Sequence, residues 1–314
     1  MLLASLGILV GLAVLTVAAD QFVAGAARLA VVMRISPIVV GAVIIGFGTS
    51  APELLVSGLA GIQGSVDLAV GNIVGSNVAN LTLVLGVAAM ITPIAVRSPA
   101  LKREAPLSLG LTVLFAVLIQ GGVGPVEGVV LALALAATLT VIVWTARRGD
   151  DDLGGEVEEY LHGRLPSRRR ETVRTALGLL GTLGAAQLLV VSATTIAAEL
   201  GLNEGFIGLT VVAIGTSLPE LATAITAARK GETELIVGNL LGSNVFNSGA
   251  VGATVGFAGA GAVIDPTITT LGVGLMVGIA VLATVFMVTG RRVVRVEGVV
   301  LLVAYAVTLP LLAG

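Results

Sequence analysis

Ten stretches of this chain, at about 1–19, 35–66, 68–96, 105–126, 128–146, 175–198, 205–228, 235–264, 266–290 and 298–314, carry no charged residue or a single one. Each is long enough to cross the hydrocarbon layer of a bilayer, roughly 30 Å, as a helix. Water does not reach peptide groups in that layer, so only helices or closed barrels span it. A barrel needs segments of about ten residues that alternate apolar and polar side chains, whereas these runs are continuous and rich in Leu, Val, Ala and Gly. Helices follow. Composition names the solvent: 56% of residues are hydrophobic and 11% charged, and the mean hydropathy is +1.07, beyond what a water-soluble domain carries. The chain is predicted to be an all-α membrane protein with the lipid bilayer as its surroundings.

Basic residues orient the spans, because cytoplasmic loops retain Lys and Arg. With the N-terminus outside, Arg28 and Arg34 fall inside, as do Arg97, Lys102, Arg103, the basic residues from Arg147 to Arg174, Arg229, Lys230, Arg291, Arg292 and Arg295. All 17 basic residues then share one side, and the only charges on the other are the acids Asp67, Glu127, Glu199, Glu204 and Asp265. A different number of spans scrambles this partition, so ten transmembrane helices are predicted, with N- and C-termini outside. Residues 1–146 form a first five-helix half, 147–174 a polar cytoplasmic linker and 175–314 a second half. The linker's acids, from Asp150 to Glu159, lack the spacing of an EF-hand loop, and the lone histidine, His162, reads as a surface residue there. The first span lacks a basic leader and a small-residue cleavage pattern and is expected to be retained. A formal net charge of −2 without a basic patch points to no nucleic-acid partner. The absence of cysteine excludes disulfides, thiolate metal sites and cysteine nucleophiles.

One pattern occurs twice, at 46–80 and 213–247, without a gap at an offset of 167 residues and with 17 identities in 35 positions. The copies lie in opposite halves. Five spans per half make the second half enter from the other side, so the repeats are inverted, an architecture that puts substrate sites near the midplane. Each copy begins G-T-S-x-P-E. Pro52 and Pro219, inside their helices, lack a backbone donor and clash with the carbonyls of Gly48 and Gly215. Oxygens so freed survive at membrane depth where they line a cavity or meet a ligand. Glu53 and Glu220 follow directly. An ionised carboxylate at mid-bilayer costs about 2.5 to 3.5 kcal/mol on insertion scales, and no basic residue in any span pairs with either. The bland alternative is two protonated glutamates hydrogen-bonded in a core. Each copy ends G-N-x-x-G-S-N-x-x-N, which puts Ser76 and Asn80 on one helix face with Asn72 and Asn77 nearby, and Ser243 and Asn247 with Asn239 and Asn244 in the second copy. Gly71 with Gly75 and Gly238 with Gly242 permit close helix approach, and the asparagines either line a cavity or bridge helices.

Taken together, the candidates are two carboxylates, the hydroxyls of Thr49, Ser50, Ser76, Thr216, Ser217 and Ser243, the amide oxygens of residues such as Asn80 and Asn247, and freed carbonyls. All are hard oxygen donors. Calcium takes six to eight of these in flexible geometry, Mg²⁺ demands near-ideal octahedra, and softer metals want the Cys or His that no span contains. The expected ligand is a hard cation, Ca²⁺ and Na⁺ first, bound as transported substrate with no cofactor. A spanning His or Cys and a nucleophile–base pair are missing, so an intramembrane hydrolase is not expected.

GTSAPEL with GNIVGSNVAN, and GTSLPEL with GNLLGSNVFN, resemble the two alpha repeats of the sodium/calcium exchangers in the cation/calcium antiporter superfamily. Ten helices in two inverted sets of five fit that family over nearly the whole chain. The resemblance implies a central calcium site of Glu53, Glu220, Thr49 and Thr216. It implies flanking sodium sites of Ser50, Ser76, Ser217, Ser243 and the carbonyls of Gly46 and Ala213, and a long, tilted first and sixth helix that slide across the rest. Asn80 is as the family has it, but the second repeat commonly ends in aspartate where this chain has Asn247. Proton-coupled relatives in the superfamily carry acids where this chain has its GSN segments. The expected activity is therefore Na⁺/Ca²⁺ antiport by a monomer in a prokaryotic cell membrane, with H⁺/Ca²⁺ antiport as the alternative. A cation channel needs an open path and fits a two-repeat monomer with broken helices less well.

Overall fold

The structure, a computed structural model, describes residues 2–33, 45–96, 104–146, 167–199, 213–259, 261–263 and 265–313. Two helices stand out by length: α1, Leu2–Met33, and α8, Arg168–Glu199, at 32 residues each. At 1.5 Å per residue each runs about 48 Å, well beyond the hydrocarbon layer. They lie along one another with backbones in contact: a Cβ on Gly178 would stand 2.5 Å from the Phe22 nitrogen, and one on Gly25 would stand 2.9 Å from the Thr175 nitrogen. Helices in lipid lack a hydrophobic drive to associate, and small residues that admit close van der Waals contact supply it instead.

Helix α8 begins inside the stretch expected to be linker, so Arg168 to Arg174 are helical. The charge there serves pairing. Glu171 lies 3.7 Å from Arg28 and 3.8 Å from Arg174, Arg174 Nε donates to Gln21 Oε1 at 2.9 Å, and Lys230 Nζ meets Asp20 Oδ1 at 2.7 Å. Arg28, Arg174 and Lys230, all assigned to the cytoplasmic side from sequence, thus meet partners in the second half of α1 or the first turns of α8. Residues 147–166, with His162 and the acidic run, lie outside the described residues.

Between and after the long pair, the two copies of the repeat fold alike. In the first, α2 (Gly46–Thr49), α3 (Ala51–Ile62) and α4 (Val66–Ala79) lead into a π turn, Asn80–Val84, and α5 (Leu85–Ile91). Helices α6 (Ala105–Leu118) and α7 (Pro125–Ala146) complete this part. In the second, α9 (Ala213–Thr216), α10 (Leu218–Lys230) and α11 (Thr233–Phe246) lead into a π turn, Asn247–Val251, and α12 (Gly252–Phe257). Helices α13 (Val273–Gly290) and α14 (Arg295–Ala313) follow. The glycines at equivalent places between the motif helices, Gly64 and Gly231, both have φ of 78°, a left-handed turn that side chains with a Cβ resist. A short antiparallel ladder pairs β1 (Ile94–Ala95) with β2 (Arg292–Val293), tying the two parts together.

Helices α4 and α11 hold the centre, with every residue of 69–79 and 235–246 buried. The outer helices show large apolar side chains to the surroundings, among them Leu3, Leu59, Val117, Leu133 and Val303. Among the described residues, Leu3–Ala26, Val66–Ile91, Pro125–Trp144 and Ile268–Gly290 are long and apolar enough to cross a membrane. Ala51–Ile62 and Ala105–Gly121 are shorter apolar helices. This is a multi-pass membrane protein. The runs expected at 35–66 and 205–228 lie partly outside the described residues.

Candidate cation-binding site

The chain breaks its helix at Ser50 (φ −80°, ψ 5°) and again at Ser217 (φ −81°, ψ 4°). This corrects the expectation that Pro52 and Pro219 lie inside their helices; the broken helices themselves were expected. Pro52 and Pro219 are second residues of new helices, α3 and α10, where a missing N–H costs nothing because first-turn donors have no intrahelical acceptor. The break occurs just upstream, and the backbone stays bonded across it through Ser50 N to Gly46 O and Ser217 N to Ala213 O, each 3.1 Å. It also places Glu53 and Glu220 in the first turn of their helices, where the helix dipole favours a carboxylate.

Both glutamates are fully buried, and each is held by the serine of the other repeat: Ser217 Oγ donates to Glu53 Oε1 at 3.4 Å, and Ser50 Oγ donates to Glu220 Oε1 at 3.3 Å. The threonines exchange in the same way, Thr49 Oγ1 donating to Asn239 Oδ1 at 3.2 Å and Thr216 Oγ1 to Asn72 Oδ1 at 3.1 Å. Ser243 and Ser76 close the two ends, with Ser243 Oγ 3.4 Å from Thr49 Oγ1 and Ser76 Oγ 3.4 Å from Thr216 Oγ1. Ser243 Oγ also donates to Glu220 Oε1 at 3.2 Å. Eight of the predicted site residues, Thr49, Ser50, Glu53, Ser76, Thr216, Ser217, Glu220 and Ser243, therefore form one buried oxygen-lined cluster. The carbonyls are beside it: besides the backbone bond, Gly46 O lies 3.3 Å from Ser243 Oγ and Ala213 O 3.3 Å from Thr216 Oγ1, as alternative acceptors for the single hydrogen of each hydroxyl.

Asn80 and Asn247 stand one turn further on, each the first residue of a π turn, an irregularity frequent at functional sites. Asn80 Nδ2 donates to Asn244 Oδ1 at 3.1 Å, and Asn77 Nδ2 to Ser248 Oγ at 3.0 Å. Asn247 is fully buried, yet neither amide atom has a hydrogen-bond partner among the described residues. The oxygens Glu53 Oε2, Glu220 Oε2, Asn77 Oδ1 and Asn80 Oδ1 are likewise buried without a partner. Buried polar atoms are almost always satisfied, and a set of unsatisfied oxygens is an acceptor surface for a cation. Among the described residues no three His, Cys, Asp or Glu side chains gather, so the formal charge comes from the two glutamates.

Sequence reasoning missed the layer behind the threonines. Asn72 Nδ2 donates to Ser57 Oγ at 3.0 Å and Asn239 Nδ2 to Thr223 Oγ1 at 3.1 Å. This leaves each amide oxygen free to accept from the threonine of the other copy. Ser57 and Thr223 stand four and three residues after their glutamates, a spacing that puts them on the same helix face; that signal was present. Met276, 3.4 Å from Asn77 Nδ2, gave none.

A family model described as "Sodium/calcium exchanger protein" matches residues 3–144 and 171–313. The inner membrane protein YrbG of Escherichia coli is 39% identical over 254 residues, 79% of this chain and 77% of its own length. The sodium/calcium exchanger MaX1 of Methanosarcina acetivorans is 29% identical over 342 residues, 97% of each. Among solved structures, the sodium-calcium exchanger NCX_Mj soaked with Na⁺ and Ca²⁺ superposes with a TM-score of 0.82 at 30% identity, covering 99% of this chain and 98% of that one.

Proposed function

Because the chain belongs to the sodium/calcium exchanger family, we propose that it exchanges Na⁺ for Ca²⁺ across a cell membrane by alternating access. Cation/Ca²⁺ antiport is the activity of this family and fold; Na⁺ as the driving ion and the residues that hold the ions are our assignment. Ca²⁺ binds between Glu53 and Glu220 with Thr49 and Thr216. Na⁺ takes flanking positions among Ser50, Ser76, Ser217, Ser243, Asn80 and Asn247, and at the carbonyls of Gly46 and Ala213 once the hydroxyls beside them turn their lone pairs to the ion.

The observation that carries this is the pair of buried oxygens, Glu53 Oε2 and Glu220 Oε2, that have no hydrogen-bond partner among the described residues and stand among hydroxyls donated across the two repeats. A pair kept only for packing has no need of unmatched acceptors. The ten crossings divide into inverted halves, 1–146 and 175–314, joined through 147–174; the reciprocity of the bonds between copies supports it. One chain supplies both carboxylates, which supports a functional monomer. Sodium coupling draws support from the relatives named as sodium/calcium exchangers.

Purified protein in vesicles tests this. Calcium uptake driven by an outward Na⁺ gradient is expected, with little uptake under a pH gradient or no gradient. Uptake that ignores Na⁺ and follows the pH gradient assigns the scaffold to H⁺/Ca²⁺ exchange, and Ca²⁺ flux with no counter-ion requirement assigns it to a channel.

A further inference from the structure

Where α1 passes the last turn of α10, a cavity of about 310 Å³ is lined by Val17, Asp20 and Gln21 of the long helix and by Thr226, Arg229 and Lys230 of the shorter one. Pockets that hold small molecules begin at about 300 Å³. About twenty residues of α1 from Leu2 rise about 30 Å, so Asp20 and Gln21 stand at the far edge of the hydrocarbon layer. Val17 lies one turn deeper, and Val10, Val14 and Val17 make an exposed apolar stripe that leads from the cavity toward the middle of the membrane. The cavity thus joins an apolar, lipid-facing side to a charged rim.

The rim is basic. Lys230 Nζ meets Asp20 Oδ1 at 2.7 Å, but both side chains remain partly open to the surroundings, and an ammonium has three hydrogens to share. An ion pair so exposed holds weakly. Arg229 makes no ion pair among the described residues. At the same level Arg174 donates to Gln21, and the exposed Arg168, Arg169 and Arg170 begin its helix. This is the side on which the sequence gathers all 17 of its basic residues. We propose that the cavity seats the headgroup of an anionic phospholipid, its phosphate at Arg229 and Lys230 and its acyl chains along Val10, Val14 and Val17. Basic pockets between membrane helices at the cytoplasmic face favour such headgroups. A free phosphate carries the same charge but has nothing to lay on the valines. The lipid would tie α1 to the far end of the helix whose first turn carries Glu220.

Native mass spectrometry of the full chain in detergent tests this, with phosphatidylglycerol titrated against phosphatidylcholine of the same acyl chains and the first lipid retained as the reading. Phosphatidylglycerol is expected to be preferred. Each basic residue near the membrane surface contributes about fivefold, so Arg229→Gln should lose about fivefold in retention and Arg229→Lys should keep most of it. Asp20→Asn should gain, because the carboxylate that repels a phosphate and occupies Lys230 is gone. Were Arg229 and Lys230 there only to complement the dipole of α10, and the Asp20 pair only to hold α1, Asp20→Asn would lower retention or leave it alone. Equal retention of the two lipids, an unchanged Arg229→Gln, or no gain in Asp20→Asn overturns the site. Displacement of the lipid by inorganic phosphate at equal concentration overturns it too, since the acyl chains would then play no part. Unfolding midpoints in lipid-free detergent accompany the variants; should Arg229→Gln fold poorly, the gain in Asp20→Asn decides alone.

Discussion

A carboxylate inside an apolar bundle needs something to answer its charge, and at Glu53 and Glu220 the hydroxyls and helix first turns answer only one oxygen of each. Glu53→Gln or Glu220→Gln keeps the shape and removes a charge that faces the ion. Losing one member of a buried charged set costs about 3 to 5 kcal/mol, so either variant is expected to lose at least 100-fold in calcium affinity or transport while still folding; near-normal exchange in either sinks the assignment of the site. Asn247 is a subtler case. Asn247→Asp adds an acid that, when protonated, matches the amide in bulk and in part of its bonding. Variant and wild type should therefore transport alike at low pH and diverge as the new acid ionises, the variant binding cations more tightly. A constant affinity ratio across a pH series places residue 247 outside the ion path. The glutamates, hydroxyls and proline were legible because each repeats at a fixed offset, and repetition of polar residues in apolar surroundings is hard to explain by packing. Ser57 and Thr223 carried only the weaker signal of a shared helix face with the glutamates, and the 167-residue offset does not relate them, so repetition passed them over.

Helix boundaries followed sequence less faithfully. The run of charge before Arg174 reads as loop by composition, yet α8 starts at Arg168, because Arg28 and Gln21 on α1 give its charges partners that a one-dimensional pattern does not display. The position of the break, at Ser50 and Ser217, escaped for a different reason: a proline marks a break nearby, but its tolerance in a first turn sets the break upstream of the ring. The π turns at Asn80 and Asn247 leave no signature in hydropathy at all. The contact between the long helices is a direct test of the packing seen. Gly178→Ala drives a Cβ to 2.5 Å from the Phe22 nitrogen, while nothing lies within 4 Å of a Cβ at Gly184 on the same helix. Overpacking at Gly178 is expected to destabilise by about 1 to 3 kcal/mol. Gly184→Ala should be neutral or stabilising by up to about 1 kcal/mol through helix propensity. Thermal unfolding in detergent separates the two, and equal midpoints would mean that α1 and α8 do not meet along this face.

At the scale of the whole molecule, the site is an interface: α3 and α4 of one repeat face α10 and α11 of the other, and at the site the bonds that join them run between carboxylates, hydroxyls and amides. A cation bound there ties the repeats together, so binding and stability are linked. Ligand present at 100 times its dissociation constant adds about 2.7 kcal/mol to the folded state. Calcium is therefore expected to raise the unfolding midpoint at neutral pH. The sign of the pH effect follows from the ligand atoms. Calcium needs the carboxylates ionised, and a proton on either removes half the cavity's charge, so the calcium-dependent gain is present at higher pH and fades as the medium is acidified through the titration of the pair. Na⁺ should compete, lowering the gain at fixed calcium. Glu220→Gln should unfold at a midpoint that calcium leaves unchanged at any pH. A calcium-induced shift of the same size at acidic and neutral pH, or one retained in Glu220→Gln, would put the stabilising ion somewhere other than between these two glutamates.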